Sequence, residues 1–185
     1  MGEALNAAAA TLTPPVDPER DHLRGNPAAR ASLVEYGDFQ CPYCREAYPS
    51  VRELLERFGD DLRFVFRHMP MPDLHPAAQR AAEASEAAAA QGRFWDMHDR
   101  LFEGRPKLSE RDLVAHAEAL GLDVEAFTRE LGDGTHRERV LSDLGSGVRS
   151  GVPSTPRFYV DGVVHLGGST VPELEWAIGS LLRGA

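Results

Sequence analysis

Cysteine is scarce in this chain, with two in 185 residues. That scarcity excludes a disulfide-stapled scaffold and a four-cysteine metal centre. Basic charge is also in deficit. Twenty Lys and Arg face 29 Asp and Glu, for a net charge of −9. Phosphate binding needs a basic face, so nucleic acid is not an expected partner. No run of about 18 apolar residues occurs, so no segment is expected to span a membrane. Met1 to Pro18 has neither a basic n-region nor a sustained apolar h-region. It does not read as a secretory signal, which places the chain as written in the cytoplasm, with a periplasmic or exported location expected only if a native leader has been replaced. Internal repeats are absent. What is present is 42% hydrophobic residues, enough for a proper core in one globular domain with room for an inserted subdomain.

The two cysteines are Cys41 and Cys44, in Cys41-Pro42-Tyr43-Cys44. Two cysteines placed at random would fall three apart roughly once in a hundred chains, so the spacing needs a reason. Ser32 to Tyr36 reads as a short apolar strand, and Arg45 to Phe58 as a helix with Val51, Leu54, Leu55 and Phe58 on one face. Cys41 therefore lies where a strand gives way to a helix. Unpaired N–H groups and the helix dipole favour a thiolate there, which can lower a cysteine pKa from about 8.5 to between about 3.5 and 7.5. Cys44 lies one turn further in, within reach of Cys41 and less exposed. Dithiol exchange needs that asymmetry, an outer attacking sulfur and an inner resolving one. Three plainer readings compete. A structural disulfide over so short a loop gains little. A zinc site would need two more ligands, for which His68 and His75 are candidates. An inert core pair does not account for a proline between the cysteines at a helix start.

The remaining elements follow in order. Asp21 to Gly25 reads as a short edge strand and Leu62 to Arg67 as a buried parallel strand after Gly59-Asp60-Asp61. Pro49 is expected to kink the first helix. After the proline-broken loop His68 to Asp73, helices are expected over Pro76 to Gln91, Phe94 to Phe102, from a Ser109–Asp112 cap to Gly121, Asp123 to Leu131, and Arg137 to Val148. Arg157 to Val160 and Val163 to Leu166 flank Asp161-Gly162, a hairpin signal. Thr170 with Glu173 opens the last helix.

Two motifs, in this order and at this separation, carry a family likeness: Glu35-Tyr36-Gly37-Asp38-Phe39-Gln40-Cys41-Pro42-Tyr43-Cys44, and Gly151-Val152-Pro153-Ser154-Thr155-Pro156-Arg157-Phe158-Tyr159-Val160-Asp161-Gly162. From about Asp21 to Leu182 the chain resembles the DsbA-like branch of the thioredoxin superfamily, and within it the small bacterial members, including those fused to some sodium/proton antiporters. The resemblance implies an α/β thioredoxin fold with an inserted helical subdomain. Residues 1–20 would form a flexible tail, 21–72 the first half of the fold, 73–150 the insert, and 151–185 the second half with a cis-proline loop and the last helix. It implies that Thr155-Pro156 faces the cysteines with a cis bond, Val152-Pro153 being an ordinary trans bond, and offers backbone groups to a substrate strand. It also implies a buried acid at Glu35, where burial raises a carboxyl pKa and allows proton exchange with Cys44. The competing reading of Glu35 is a surface carboxylate on an edge strand. Asp38 is a second acid, in the loop, whose charge would oppose ionisation of Cys41.

The function expected is thiol–disulfide oxidoreduction. Cys41 is the nucleophile, Cys44 resolves, Glu35 assists proton transfer, and Thr155 with Pro156 positions substrate. Pro42, Tyr43 and Phe39 join a substrate-binding rim together with Met69 and Met71, adaptable side chains that suit flexible substrates; the competing reading of the rim is that Phe39, Tyr43, Met69, Met71 and Pro156 mostly pack the subdomain against the core. Strong oxidases of this family carry histidine at the position of Tyr43. Pro-Tyr is the glutaredoxin pair, whose potentials lie at about −200 to −230 mV, so an intermediate potential is expected. His68, His75 and His98 are read as structural. No metal or organic cofactor is required, since the redox pair is in the protein. Partners are protein or peptide thiols and disulfides, with glutathione as a small thiol, acting on a monomer. Two rival functions remain: a redox-sensing or binding module without turnover, and a glutathione-dependent isomerase on the same scaffold. The latter carries serine in place of the first cysteine, which Cys41 argues against.

Overall fold

The structure is a computed structural model and describes residues 10–104 and 107–184. Strand β1 (His22–Gly25) leads into β2 (Ala31–Gly37), helix α1 (Pro42–Phe58) and β3 (Leu62–His68). Five helices follow: α2 (Ala78–Ala90), α3 (Phe94–Phe102), α4 (Glu110–Ala119), α5 (Val124–Asp133) and α6 (Arg137–Ser150). Then β4 (Arg157–Val160), β5 (Val163–Val164) and α7 (Val171–Gly184) complete the chain. The sheet order is β1-β3-β2-β4-β5, with β2 and β3 parallel and the other pairs antiparallel.

The parallel pair is central, and all seven residues of β2 are buried. That is why Ser32-Leu33-Val34-Glu35-Tyr36 reads as a nearly continuous apolar run interrupted by one acid: both faces are covered. Leu33, Phe64 and Phe66 pack against α1, α3 and α7 in one core, while Val34, Tyr36, Val65 and Tyr159 form a second core on the opposite face. The hairpin signal is realised in full. Asp161 and Gly162 both take positive φ, 49° and 82°, as a type I′ turn requires. The second strand of that hairpin ends at Val164, two residues short of the expected Leu166.

Helix caps fall where polar residues announce them. Ser109 and Asp112 form a reciprocal capping box for α4, and the Asp123 carboxylate caps α5 by accepting from Ala126 N–H. At the start of α7 the Glu173 carboxylate accepts from the Thr170 N–H and hydroxyl, one half of such a box. Helix α1 begins at Pro42, three residues before the expected start, and runs through Pro49, which lies on its exposed side.

The expected flexible tail over residues 1–20 requires a correction. Residues 1–9 lie outside the described residues, but residues 10–20 are seated on the sheet. Thr11 bridges to Val163, Leu12 is buried, and the Arg67 guanidinium donates to the carbonyls of Pro14 and Pro15 at 2.9 and 3.0 Å. Arg67 is fully buried and pairs with Asp21 at 2.8 Å. A buried guanidinium must spend all its donors: Asp21 takes two, the Tyr36 hydroxyl accepts one at 3.0 Å, and the main-chain carbonyls of this segment take the others.

Candidate active site

Cys41 is the N-cap of α1, and Pro42 occupies the first helical turn, where its missing N–H costs nothing. Cys44 is fully buried and Cys41 nearly so, at 3% exposure. Accessibility alone hardly distinguishes the two sulfurs; their surroundings do. Hydrogen bonding to Cys44 is the largest influence on Cys41, followed by opposing burial and then by hydrogen bonds from Thr155 and the backbone N–H groups of Cys44 and Tyr43; the outcome is a pKa lowered from 9.0 to about 5. Burial is the main cause on Cys44, whose thiol is pushed well above its ordinary value, with further contributions from Cys41 and the charge of Glu35. One sulfur is poised as thiolate, the other as thiol.

The expected acid is in place. Glu35 is 2% exposed on the central strand β2 and faces the dithiol. Burial, then the negative charge on Cys41, raises its pKa from 4.5 to about 8, partly offset by the Cys44 S–H. Its Oε1 has no hydrogen-bond partner, which suits a carboxyl that holds its proton at neutral pH. Glu35 is thus no surface carboxylate on an edge. Gly37 makes room for it: a Cβ there would come within 2.3 Å of Phe66 and 3.1 Å of Glu35 Oε1.

Asp38 shapes the loop to Cys41. Its carboxylate accepts from Gln40 N–H at 2.8 Å, Met71 N–H at 3.0 Å and His75 Nδ1 at 2.8 Å. Its own N–H donates to Cys44 Sγ at 3.4 Å, and its carbonyl accepts from Cys41 N–H at 3.1 Å. An aspartate bonded to the N–H two residues on is an Asx turn, a signal available in Asp38-Phe39-Gln40. The anchoring of the loop by His75 and Met71 could not be read from the sequence.

The second motif meets the first. The Thr155 carbonyl lies 3.4 Å from Cys41 Sγ, which donates to it as a thiol, and the Thr155–Pro156 bond is cis. Tyr43 stands out at 65% exposure, and Met71 Sδ is 4.0 Å from the Thr155 hydroxyl. A cavity of about 300 Å³ runs between Tyr43, residues 154–158 and the turn at residues 167–169. Two expected rim residues do not belong there. Phe39 is 2% exposed, with its ring centroid 4.9 Å from Phe102 and 5.1 Å from Phe66, so it packs the insert against the sheet. Met69 is buried in the opposite core beside Tyr36.

His75 anchors the Asp38 loop, whereas His22, His68 and His98 point elsewhere. His68 and His22 both place Nε2 2.8 Å from Glu86 Oε1, and His98 lies inside the aromatic cluster around Phe39, Phe66 and Phe102. His22, His68 and Glu86 form a group with ligand-type geometry. Among the described residues, no such group includes Cys41 or Cys44. A wider apolar groove of about 920 Å³ between β5 and α7 contains none of these site residues.

The strand–loop–helix carrying two cysteines, the facing proline loop and the helical insert between β3 and β4 together define a thioredoxin fold of the DsbA type. A family model described as Thioredoxin matches residues 17–179, and the chain belongs to that family. The curated relatives are longer. Na(+)/H(+) antiporter NhaA 1 of Salinispora arenicola is 46% identical over 173 residues, covering 94% of this chain and 26% of the relative. The NhaA antiporter of Herminiimonas arsenicoxydans is 48% identical over 161 residues, covering 87% and 25%. The chain thus spans about a quarter of the length of these relatives. Among solved structures, a thioredoxin-like oxidoreductase from Silicibacter pomeroyi superposes with a TM-score of 0.79 at 28% identity, covering 91% of this chain and 95% of the other. Oxidised BdbD from Bacillus subtilis gives 0.82 at 24% identity, covering 95% and 98%, a likeness of fold.

Proposed function

We propose that the chain is a thiol–disulfide oxidoreductase. The observation that carries this reading is the opposite setting of two adjacent sulfurs, one pulled down to about 5 and the other pushed well up, above a carboxyl held near 8. In the reducing direction the Cys41 thiolate attacks a substrate disulfide, forms a mixed disulfide and expels the first substrate thiolate. Glu35 passes its proton to the departing thiolate; as a carboxylate it then takes the Cys44 proton, and Cys44 attacks Cys41 Sγ, expelling the second substrate thiolate, which receives that proton. Two electrons pass from the dithiol to the substrate, whose thiolates take up two protons. Oxidation of a dithiol substrate reverses these steps. Thr155 and Pro156 position the substrate chain across Cys41, with Pro42 and Tyr43 completing the contact. Substrates are protein or peptide thiols and disulfides, and small thiols such as glutathione. The dithiol is complete within one chain, so a monomer suffices.

The test is trapping. Cys44→Ser should accumulate mixed disulfides through Cys41, since nothing resolves them, while Cys41→Ser should form none. Faster alkylation of Cys44 than of Cys41 in the reduced protein would reverse the assigned roles.

A further inference from the structure

We propose that the cavity beside the start of α1 is a carboxylate-binding subsite with Arg45 as its cation, and that it selects disulfides bearing an acidic group close to the reacting sulfur. This rests on the exchange reading above and names the substrate class for it. The cavity measures about 450 Å³ and is lined by Phe39, Gln40, Arg45, Ala77, Leu108 and Ser109. Gln40 immediately precedes Cys41 and Arg45 immediately follows Cys44, so two of its lining residues are chain neighbours of the dithiol.

In a chain of net charge −9, a cation would be expected to find a carboxylate. Arg45 makes no ion pair or side-chain hydrogen bond among the described residues, although Arg52 and Arg57 on the same helix do. Its Nε is buried without an acceptor. Guanidinium cannot shed its proton to escape that cost, and its planar fork matches a carboxylate through two parallel N–H···O bonds. The Gln40 amide oxygen accepts from Ala77 N–H at 2.7 Å, which leaves its NH₂ as a second donor. The cavity lining itself holds no carboxylate, and the two acids nearest in sequence to its Ser109 are engaged. Asp112 takes the Ser109 N–H and hydroxyl, and Glu110 pairs with Arg80 at 3.1 Å. What remains is an unmatched cation and an amide donor beside the apolar surfaces of Ala77 and Leu108. That combination fits an acidic side chain or the carboxylate of a small peptide thiol.

The experiment measures kcat/KM of the full chain, with dithiothreitol returning Cys41 and Cys44 to the dithiol and the uncatalysed rate subtracted, for three small disulfides: oxidised glutathione, which is anionic, neutral bis(2-hydroxyethyl) disulfide, and cationic cystamine. Two peptide disulfides with Glu or Lys beside the cysteine are run in parallel. Arg45→Ala should lower the ratio of anionic to neutral kcat/KM about five- to tenfold, through KM. Arg45→Lys should restore part of it, and Arg45→Glu should invert the preference between glutathione and cystamine disulfides. A change confined to the Glu peptide identifies the source as acidic polypeptide. One confined to glutathione identifies a small thiol, and either supports the subsite. If all rates fall together with the ratio unmoved, Arg45 acts on the Cys41 thiolate and the subsite is overturned. Unmoved rates and ratios overturn it equally. If the wild type turns over no disulfide, neutral ones included, the exchange reading itself fails and the subsite with it.

Discussion

Replacing Glu35 with Gln isolates the site's electrostatics. In the reduced protein two groups pull stability in opposite directions with pH. Glu35 has its folded pKa raised from 4.5 to about 8. Its contribution is fully present below 4.5, where both states are protonated, and is lost as pH rises through the folded value near 8. At about 1.4 kcal/mol per pH unit, it lowers stability by on the order of 3 kcal/mol at pH 7. Cys41 has its folded pKa depressed from 9.0 to about 5. Its contribution is present above 9 and is lost as pH falls through 5, so it adds a comparable amount at pH 7. The two nearly cancel in the wild type, whose stability should be close to flat between pH 5 and 8. Glu35→Gln leaves the Cys41 dependence alone, so stability should climb by several kcal/mol from pH 5 to 9. Cys41→Ser should decline instead. Urea denaturation of the three reduced proteins across this range reads the slopes. Slopes are the right readout because a buried amide adds a pH-independent offset of about 1–3 kcal/mol. Parallel curves for wild type and Glu35→Gln would show that Glu35 does not titrate as described. In stopped-flow exchange the same variant should attack substrate at an ordinary rate and resolve slowly, because Cys44 has lost its base.

Two further outcomes are expected. Tyr43→His places partial positive charge at the N-terminus of α1 and should raise the reduction potential by tens of millivolts, about 30 mV corresponding to roughly 1.4 kcal/mol; a glutathione redox titration giving an unchanged or more negative value contradicts it. Gly37→Ala drives a Cβ into the Phe66 ring and crowds Glu35 Oε1, and should cost about 1–3 kcal/mol in urea denaturation, whereas wild-type stability would mean that the ring has room to move.

Much of this molecule was legible because its signals are local. The apolar run of β2, the Ser109–Asp112 box, the Asp161-Gly162 turn and the cysteine spacing each fix their element without distant help. Glu35 stood out as one acid in a buried strand. What escaped depends on distant partners. Phe39 reads equally as rim or core until α3 brings Phe102 against it. Residues 10–20 look like a tail because their polar backbone finds its donors only on Arg67, more than fifty residues away in sequence. Arg45 carried no sequence signal, since whether a cation finds a partner is decided only when the fold sets the side chains around it.

The most direct test of the central claim is turnover. A small fraction of an equivalent of the reduced protein is mixed with a peptide disulfide and excess reduced glutathione, and the reduced peptide is separated and followed over time against a protein-free control. An oxidoreductase reading predicts many equivalents of thiol per chain at a steady rate, abolished in Cys41→Ser. A single stoichiometric burst that stops at one disulfide per chain would contradict it and leave Cys41 and Cys44 as a redox switch.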